Sequence, residues 1–221
     1  MAPPCGWAYK RMMQSGFFPL TIAPVLEALN YAGILLFAAS GAVLAAEKRR
    51  DLVTFAFFAV ATGVGGGTVR DLLIGAPVFW TRQNATLGLC LGAAMLVWST
   101  PVRFWTSRVL LWCDALGLAA FSTYGVAKAL AFGIAPVPAL LMGVFTACLG
   151  GIIRDMLAGE PSIIMRSELY VTAAALASGL MVGLSLAGLP SYAAGGIATL
   201  AGLILRGGAI VRGWELPIYR R

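Results

Sequence analysis

The stretch Gly66-Gly67-Thr68-Val69-Arg70-Asp71-Leu72-Leu73-Ile74-Gly75-Ala76-Pro77 recurs 84 positions later as Gly150-Gly151-Ile152-Ile153-Arg154-Asp155-Met156-Leu157-Ala158-Gly159-Glu160-Pro161. The same offset relates Gly33, Phe37, Gly41 and Ala45 to Gly117, Phe121, Gly125 and Ala129, and Thr62 to Thr146 and Arg82 to Arg166. Two motifs in separate segments that share one spacing are hard to obtain from composition alone, so the chain contains an internal repeat.

The repeat lies in a chain of 221 residues of which 60% are apolar and only 11% are charged. A soluble domain carries about 25% charged residues. With a mean hydropathy of +0.87, too little polar material remains to cover a water-exposed surface, and the composition reads as an integral membrane protein. The chain has no His, which removes the commonest general base and metal ligand. Its net charge of +7 comes from basic residues scattered mostly singly, a pattern that argues against nucleic acid as a partner. Cys5, Cys90, Cys113 and Cys148 form no C-x-x-C pair and read as small packing residues without a metal.

A membrane span needs about 20 mostly apolar residues. Seven runs qualify, at 22–46, 52–76, 84–102, 109–131, 136–159, 168–188 and 191–212. The predicted fold is therefore an all-α integral membrane protein of seven helices. Its parts are a loosely ordered tail over 1–21, a first three-helix repeat over 22–107, a second over 108–190, and a seventh helix with a C-terminal tail over 191–221. Lys10 and Arg11 precede too short and broken an apolar segment for a cleaved signal, so the first span reads as an uncleaved anchor. Three spans per repeat is an odd number, which turns the second copy upside down: an inverted-topology 3+3 repeat. Loops between spans are short and leave no room for a soluble domain, so function has to sit within the bundle.

Orientation follows from the basic residues. One side collects Lys48, Arg49, Arg50, Arg103, Arg108, Arg166, Arg206, Arg212, Arg220 and Arg221, and the other only Lys10, Arg11 and Arg82. That places the C-terminus in the cytoplasm and the N-terminus outside, with Trp80, Trp98, Trp105 and Trp112 as an interfacial aromatic belt.

Spans two and five carry glycines at their centres, Gly65, Gly66 and Gly67 in one and Gly150 and Gly151 in the other. Each costs roughly 1 kcal/mol relative to Ala within a helix. Two readings follow: a kink or unwinding beside a water-filled path, or close packing of helices. The charged pairs that follow, Arg70-Asp71 and Arg154-Asp155, favour the first, because a charge in a span costs roughly 2.5–3.5 kcal/mol and is retained for function. Neighbours i and i+1 do not face each other on a helix. A crossed arrangement is therefore expected, with Arg70 reaching Asp155 or a carbonyl of span five and Arg154 doing the reciprocal; the alternative is that both pairs snorkel to the interfaces. Other polar groups within spans are Glu27, Asn30, Ser40, Asp114, Ser122, Thr123, Tyr124 and Lys128. Asn30 and Asp114, equivalent at the offset of 84, read as helix N-caps. Lys128 either snorkels outward or places a positive charge in the permeation path.

The duplicated Gly-Gly-x-x-Arg-Asp, with the glycines of spans one and four, resembles the trimeric intracellular cation (TRIC) channel family, most closely its prokaryotic branch, over roughly residues 25–212. The resemblance implies a homotrimer in the inner (plasma) membrane with one pore per protomer. Monovalent cations, chiefly K⁺, would pass between kinked spans two and five. Carried over, Gly65, Gly66, Gly67, Gly150 and Gly151 are the pore-kink positions, and Arg70, Asp71, Arg154 and Asp155 the polar pore support; Lys128 joins that support on its own place in span four. It implies no cofactor beyond the permeating K⁺ or Na⁺, and leaves room for a bound lipid, although the Lys-Glu-Val signature of the animal members is missing from this sequence. Bacterial relatives have also been labelled glycine transporters, and broken half-helices suit a small amino acid as well as an ion. A secondary transporter is thus the second reading. With no nucleophile–base pair and no metal cluster in the sequence, an enzyme is not expected, and a purely structural role does not explain the duplicated charges.

Overall fold

The computed structural model describes residues 23–162 and 169–216. Among these residues seven α-helices follow one another: α1 (Ala23–Glu47), α2 (Leu52–Leu73), α3 (Asn84–Ser99), α4 (Ser107–Ala131), α5 (Pro136–Ala158), α6 (Val171–Leu186) and α7 (Ser191–Arg212). The expected tail over 1–21, the basic residues Lys10, Arg11, Arg166, Arg220 and Arg221, and Cys5 lie outside the described residues.

Local chemistry sets the ends. Asp51 caps α2, its carboxylate accepting from the Thr54 amide at 2.8 Å; those hydrogen bonds hold its carboxyl below the usual carboxylate range. Pro136 opens α5, where its missing N–H costs nothing. Gly159 and Gly213 close α5 and α7 in the left-handed conformation. Among the described residues, five helices (α1, α2, α4, α5 and α7) are long and apolar enough to cross a membrane. The runs expected over 84–102 and 168–188 are shorter as helices, 16 residues each, or about 24 Å at 1.5 Å per residue. The first ends where Ser99 and Thr100 turn their hydroxyls back onto the Leu96 and Val97 carbonyls, just before Pro101.

α1, α2, α4 and α5 form the centre, with α1 packed on α4 and α2 on α5. α3 lies against α1 and α2, α6 against α4 and α5, and α7 against α4 and α6. Phe37 stacks on Phe121 with centroids 5.2 Å apart and planes 21° apart. Both rings are buried at the heart of the α1–α4 contact. Gly33 makes room for the Phe121 ring and Gly117 for the Phe37 ring, so this core requires glycine twice.

Candidate functional site

α2 and α5 are helical without interruption through their glycines. What these glycines permit is close approach. A Cβ on Gly66 would collide with the carbonyl oxygen of Thr146, and one on Gly150 would lie 2.7 Å from that of Thr62. The two helices therefore cross backbone against backbone at reciprocal positions. Gly65 makes room for Ile153, and Gly67 for the edge of the Phe79 ring. At Gly151 a Cβ would lie 2.8 Å from the Tyr170 hydroxyl oxygen and 3.2 Å from Asp114 Oδ1. The packing reading of the glycines is thus visible in the contacts.

Both arginine–aspartate pairs are buried rather than snorkelling, with Arg70 and Arg154 each 1% exposed. The crossed pairing expected from the sequence does not form. Arg70 donates from Nε and Nη2 to its own neighbour, Asp71 Oδ1, at 2.9 and 2.7 Å. Arg154 Nε donates to Asp155 Oδ1 at 2.9 Å. The i, i+1 rule describes side chains leaving a helix into solvent; a guanidinium in an apolar bundle gains by folding back along its own helix to the nearest carboxylate.

Arg154 instead reaches the first and fourth helices. Arg154 Nη1 donates to Asp114 Oδ1 at 2.7 Å and to Ser40 Oγ at 3.0 Å. Asp114 is therefore no N-cap: α4 begins at Ser107, which places it two turns inside, fully buried. Asn30 likewise lies within α1, buried. Around the other arginine, the Tyr124 ring centroid is 5.0 Å from the guanidinium carbon and that of Phe79 is 5.9 Å away. Lys128 turns inward, and its Nζ donates to Asp71 Oδ1 at 2.8 Å, while the Phe79 amide donates to Asp71 Oδ2 at 3.0 Å. One carboxylate therefore serves two cations, and this cluster carries an excess positive charge.

Arg206, expected to mark a cytoplasmic loop, is instead fully buried within α7. Its guanidinium lies 5.2 Å from the centroid of the Tyr170 ring, the ring whose hydroxyl borders Gly151. Two basic groups and two acidic groups, Asp114 and Asp155, balance here. Of the four tryptophans expected at the interfaces, Trp98 is exposed with its ring edge-on to Phe55, and Trp80 donates to Thr68 Oγ1 at 2.9 Å.

Beside Arg154 opens a cavity of about 390 Å³, lined by Leu44, Glu47, Lys48, Arg154, Asp155 and Glu160 among others. It lies where the end of α1, the start of α4 and the end of α5 meet. Ser107 Oγ donates to Glu47 Oε1 at 2.9 Å, and Lys48 pairs with Glu160. Among the described residues, no three His, Cys, Asp or Glu side chains gather to hold a metal ion.

A seven-helix membrane bundle with two buried arginine–aspartate clusters at its centre is a polytopic transport-protein architecture, and comparison with known proteins identifies which. A family model described as Glycine transporter matches residues 27–101 and 111–186. A UPF0126 membrane protein of Vibrio cholerae is 41% identical over 67% of this chain and 64% of its own length, so the chain spans just under two thirds of that relative. UPF0126 membrane protein YvgT of Bacillus subtilis is 38% identical over 72% of this chain and 79% of its own length, and UPF0126 inner membrane protein YadS of Escherichia coli 41% over 66% and 72%. The TRIC trimeric intracellular cation channel orthologue from Rhodobacter sphaeroides superposes with a TM-score of 0.80 at 40% identity, over 86% of this chain and 99% of that one. A prokaryotic TRIC channel crystallised in 0.5 M KCl gives 0.81 at 27% identity, over 88% and 100%. The chain belongs to this family of prokaryotic TRIC channel orthologues, a family of channels and not of enzymes.

Proposed function

We propose that the protein is a monovalent cation channel, chiefly K⁺-permeable, working as a homotrimer with one pore per protomer between α2 and α5. The observation that carries this reading is the arrangement along the α2–α5 crossing. The cavity of about 390 Å³ leads to the Arg154–Asp155 cluster, glycine-bared carbonyls of Thr62 and Thr146 face the crossing, and the Arg70–Asp71–Lys128 cluster is built on the same helix pair. Backbone carbonyls beside the Arg154–Asp155 cluster, where acid and base are balanced, suit a partly dehydrated cation, and glycines at Gly65–Gly67 and Gly150–Gly151 leave both helices free to bend there. The two halves, 22–107 and 108–190, act as inverted copies; the reciprocal contacts of Gly66 with Thr146 and Gly150 with Thr62 support this. Likeness to the trimeric Rhodobacter sphaeroides channel supports the trimer, and the inner-membrane Escherichia coli relative supports that location, with the N-terminus outside and the C-terminus in the cytoplasm.

The deciding measurement is the reversal potential of the purified protein in planar bilayers under asymmetric K⁺, Na⁺ and Cl⁻. A potential that tracks the K⁺ gradient supports the channel, and one that tracks Cl⁻ refutes it. A secondary transporter of a small amino acid such as glycine is the second reading. The cavity favours it to this extent: Lys48 and Arg154 could meet a carboxylate, and Glu47, Asp155 and Glu160 an ammonium. Saturable glycine uptake without current steps would select it.

A further inference from the structure

The two ends of the bundle are closed by different chemistry. At the cavity, Lys48 from the turn after α1 pairs with Glu160 from the turn after α5, and both side chains are about one third exposed (35% and 37%). The positions equivalent at the offset of 84 are Phe132 and Ala76. Those belong to one apolar cluster, in which Ala76 is buried with Ile74, Ala129 and Ala139, and Phe132 packs against it. The backbone is the same in both places. Gly159 and Glu160 donate to Met156 and Asp155 as Gly75 and Ala76 donate to Leu72 and Asp71, and Arg49 and Arg50 donate to Ala46 and Ala45 as Gly133 and Ile134 donate to Leu130 and Ala129. One end thus carries an ion pair where the other carries an apolar contact.

We propose that Lys48 and Glu160 form an ionic latch over the cavity that leads to Arg154 and Asp155, and that a passing cation requires it to part. Three observations converge. Both residues line the cavity, each from a different half of the chain. An ion pair one third exposed is weak, contributing at most about a five-fold bias between closed and parted forms, so thermal motion opens it, whereas an apolar contact among buried residues stays shut. Each partner sits one residue from a left-handed turn, at Arg49 (φ 51°) and Gly159 (φ 68°). Arg49 is the non-glycine residue with positive φ among the described residues, where the equivalent turn uses Gly133 (φ 75°). A side chain there costs roughly 1–2 kcal/mol, so the closed turn holds strain that parting can release.

The latch rests on the channel reading for its purpose, but its test does not need a current. Leu111 lines the same cavity. In reconstituted protein with the native cysteines replaced, Leu111→Cys reports cavity access through its rate of modification by a membrane-impermeant thiol reagent. Lys48→Met and Glu160→Gln are each expected to speed modification two- to five-fold, and the exchange Lys48→Glu with Glu160→Lys to return it to the original rate. Raising the salt from 0.15 to 1 M shortens the screening length from about 8 to 3 Å and should speed the original protein but not the single variants. Unchanged rates in the single variants, or an exchange variant as fast as the singles, overturns the latch. Latch behaviour in a protein that passes no K⁺ current would leave the latch standing and remove the channel.

Discussion

Ser40 and Tyr124 stand 84 positions apart, and each receives the arginine of the opposite half. Arg154 donates to the Ser40 hydroxyl at 3.0 Å, and Arg70 lies 5.0 Å from the Tyr124 ring centroid. Each guanidinium is therefore neutralised by the next residue on its own helix and pinned by the first helix of the other half. Removing either arginine would loosen a helix–helix contact as well as a charge pair.

The two aspartates are not equivalent in what they hold. Asp71 serves Arg70, Lys128 and the Phe79 amide, whereas Arg154 keeps Asp114 when Asp155 is lost. Breaking a buried pair by removing one partner costs about 3–5 kcal/mol. Asp71→Asn should cost that much, and Asp155→Asn no more than about 2 kcal/mol. Unfolding of the detergent-purified variants measures both, and the opposite order would sink the assignment.

Alanine at the helix crossing tests the close approach. Gly66→Ala and Gly150→Ala push a methyl against backbone carbonyls, which cannot rotate away, and each should destabilise by about 1–3 kcal/mol. Gly88→Ala and Gly92→Ala meet nothing within 4 Å and should be neutral or stabilising by up to about 1 kcal/mol. Equal losses at all four sites would count against the crossing.

Lys128→Met removes the excess cation while Asp71 keeps Arg70 and the Phe79 amide. The expected outcome is a small change in stability and a rise in the permeability ratio of K⁺ to Cl⁻, read from reversal potentials. A fall in that ratio would show that Lys128 does not face the ions.

Arg49→Gly relieves a left-handed side chain worth roughly 1–2 kcal/mol and concedes about 0.5–1 kcal/mol of chain entropy. A net stabilisation of up to about 1 kcal/mol should appear in unfolding measurements, and a loss would show that the Arg49 side chain makes a contact of its own.

Most of the fold was legible because a bilayer constrains sequence so strongly: run length alone placed seven helices, and the duplicated Gly-Gly-x-x-Arg-Asp placed both charge clusters. The partners within those clusters were less legible. Asp114 looked like a cap because the apolar run was started at 109, while the helix begins at Ser107; an acid in an apolar span already marked it as something else. Arg206 was counted as a loop residue although it lies inside the last run, six residues before its end. The crossed pairing failed for a different reason. Spacing on a helix says which side chains emerge together, but not how a long guanidinium bends when no water is near. Tyr170 could not be foreseen, since its place beneath Arg206 depends on how α7 packs against α6.

The short third and sixth helices have a consequence for the lipid around the protein. At about 24 Å, α3 and α6 fall several ångströms below the roughly 30 Å of a bilayer's hydrocarbon, and mismatch costs a fraction of a kcal/mol per ångström. A helix that short is accommodated by thinner lipid beside it, by flanking side chains that reach to the interface or by association with another subunit, so membrane thickness becomes a mechanical input that bears on α3 and α6 before it bears on the five longer helices.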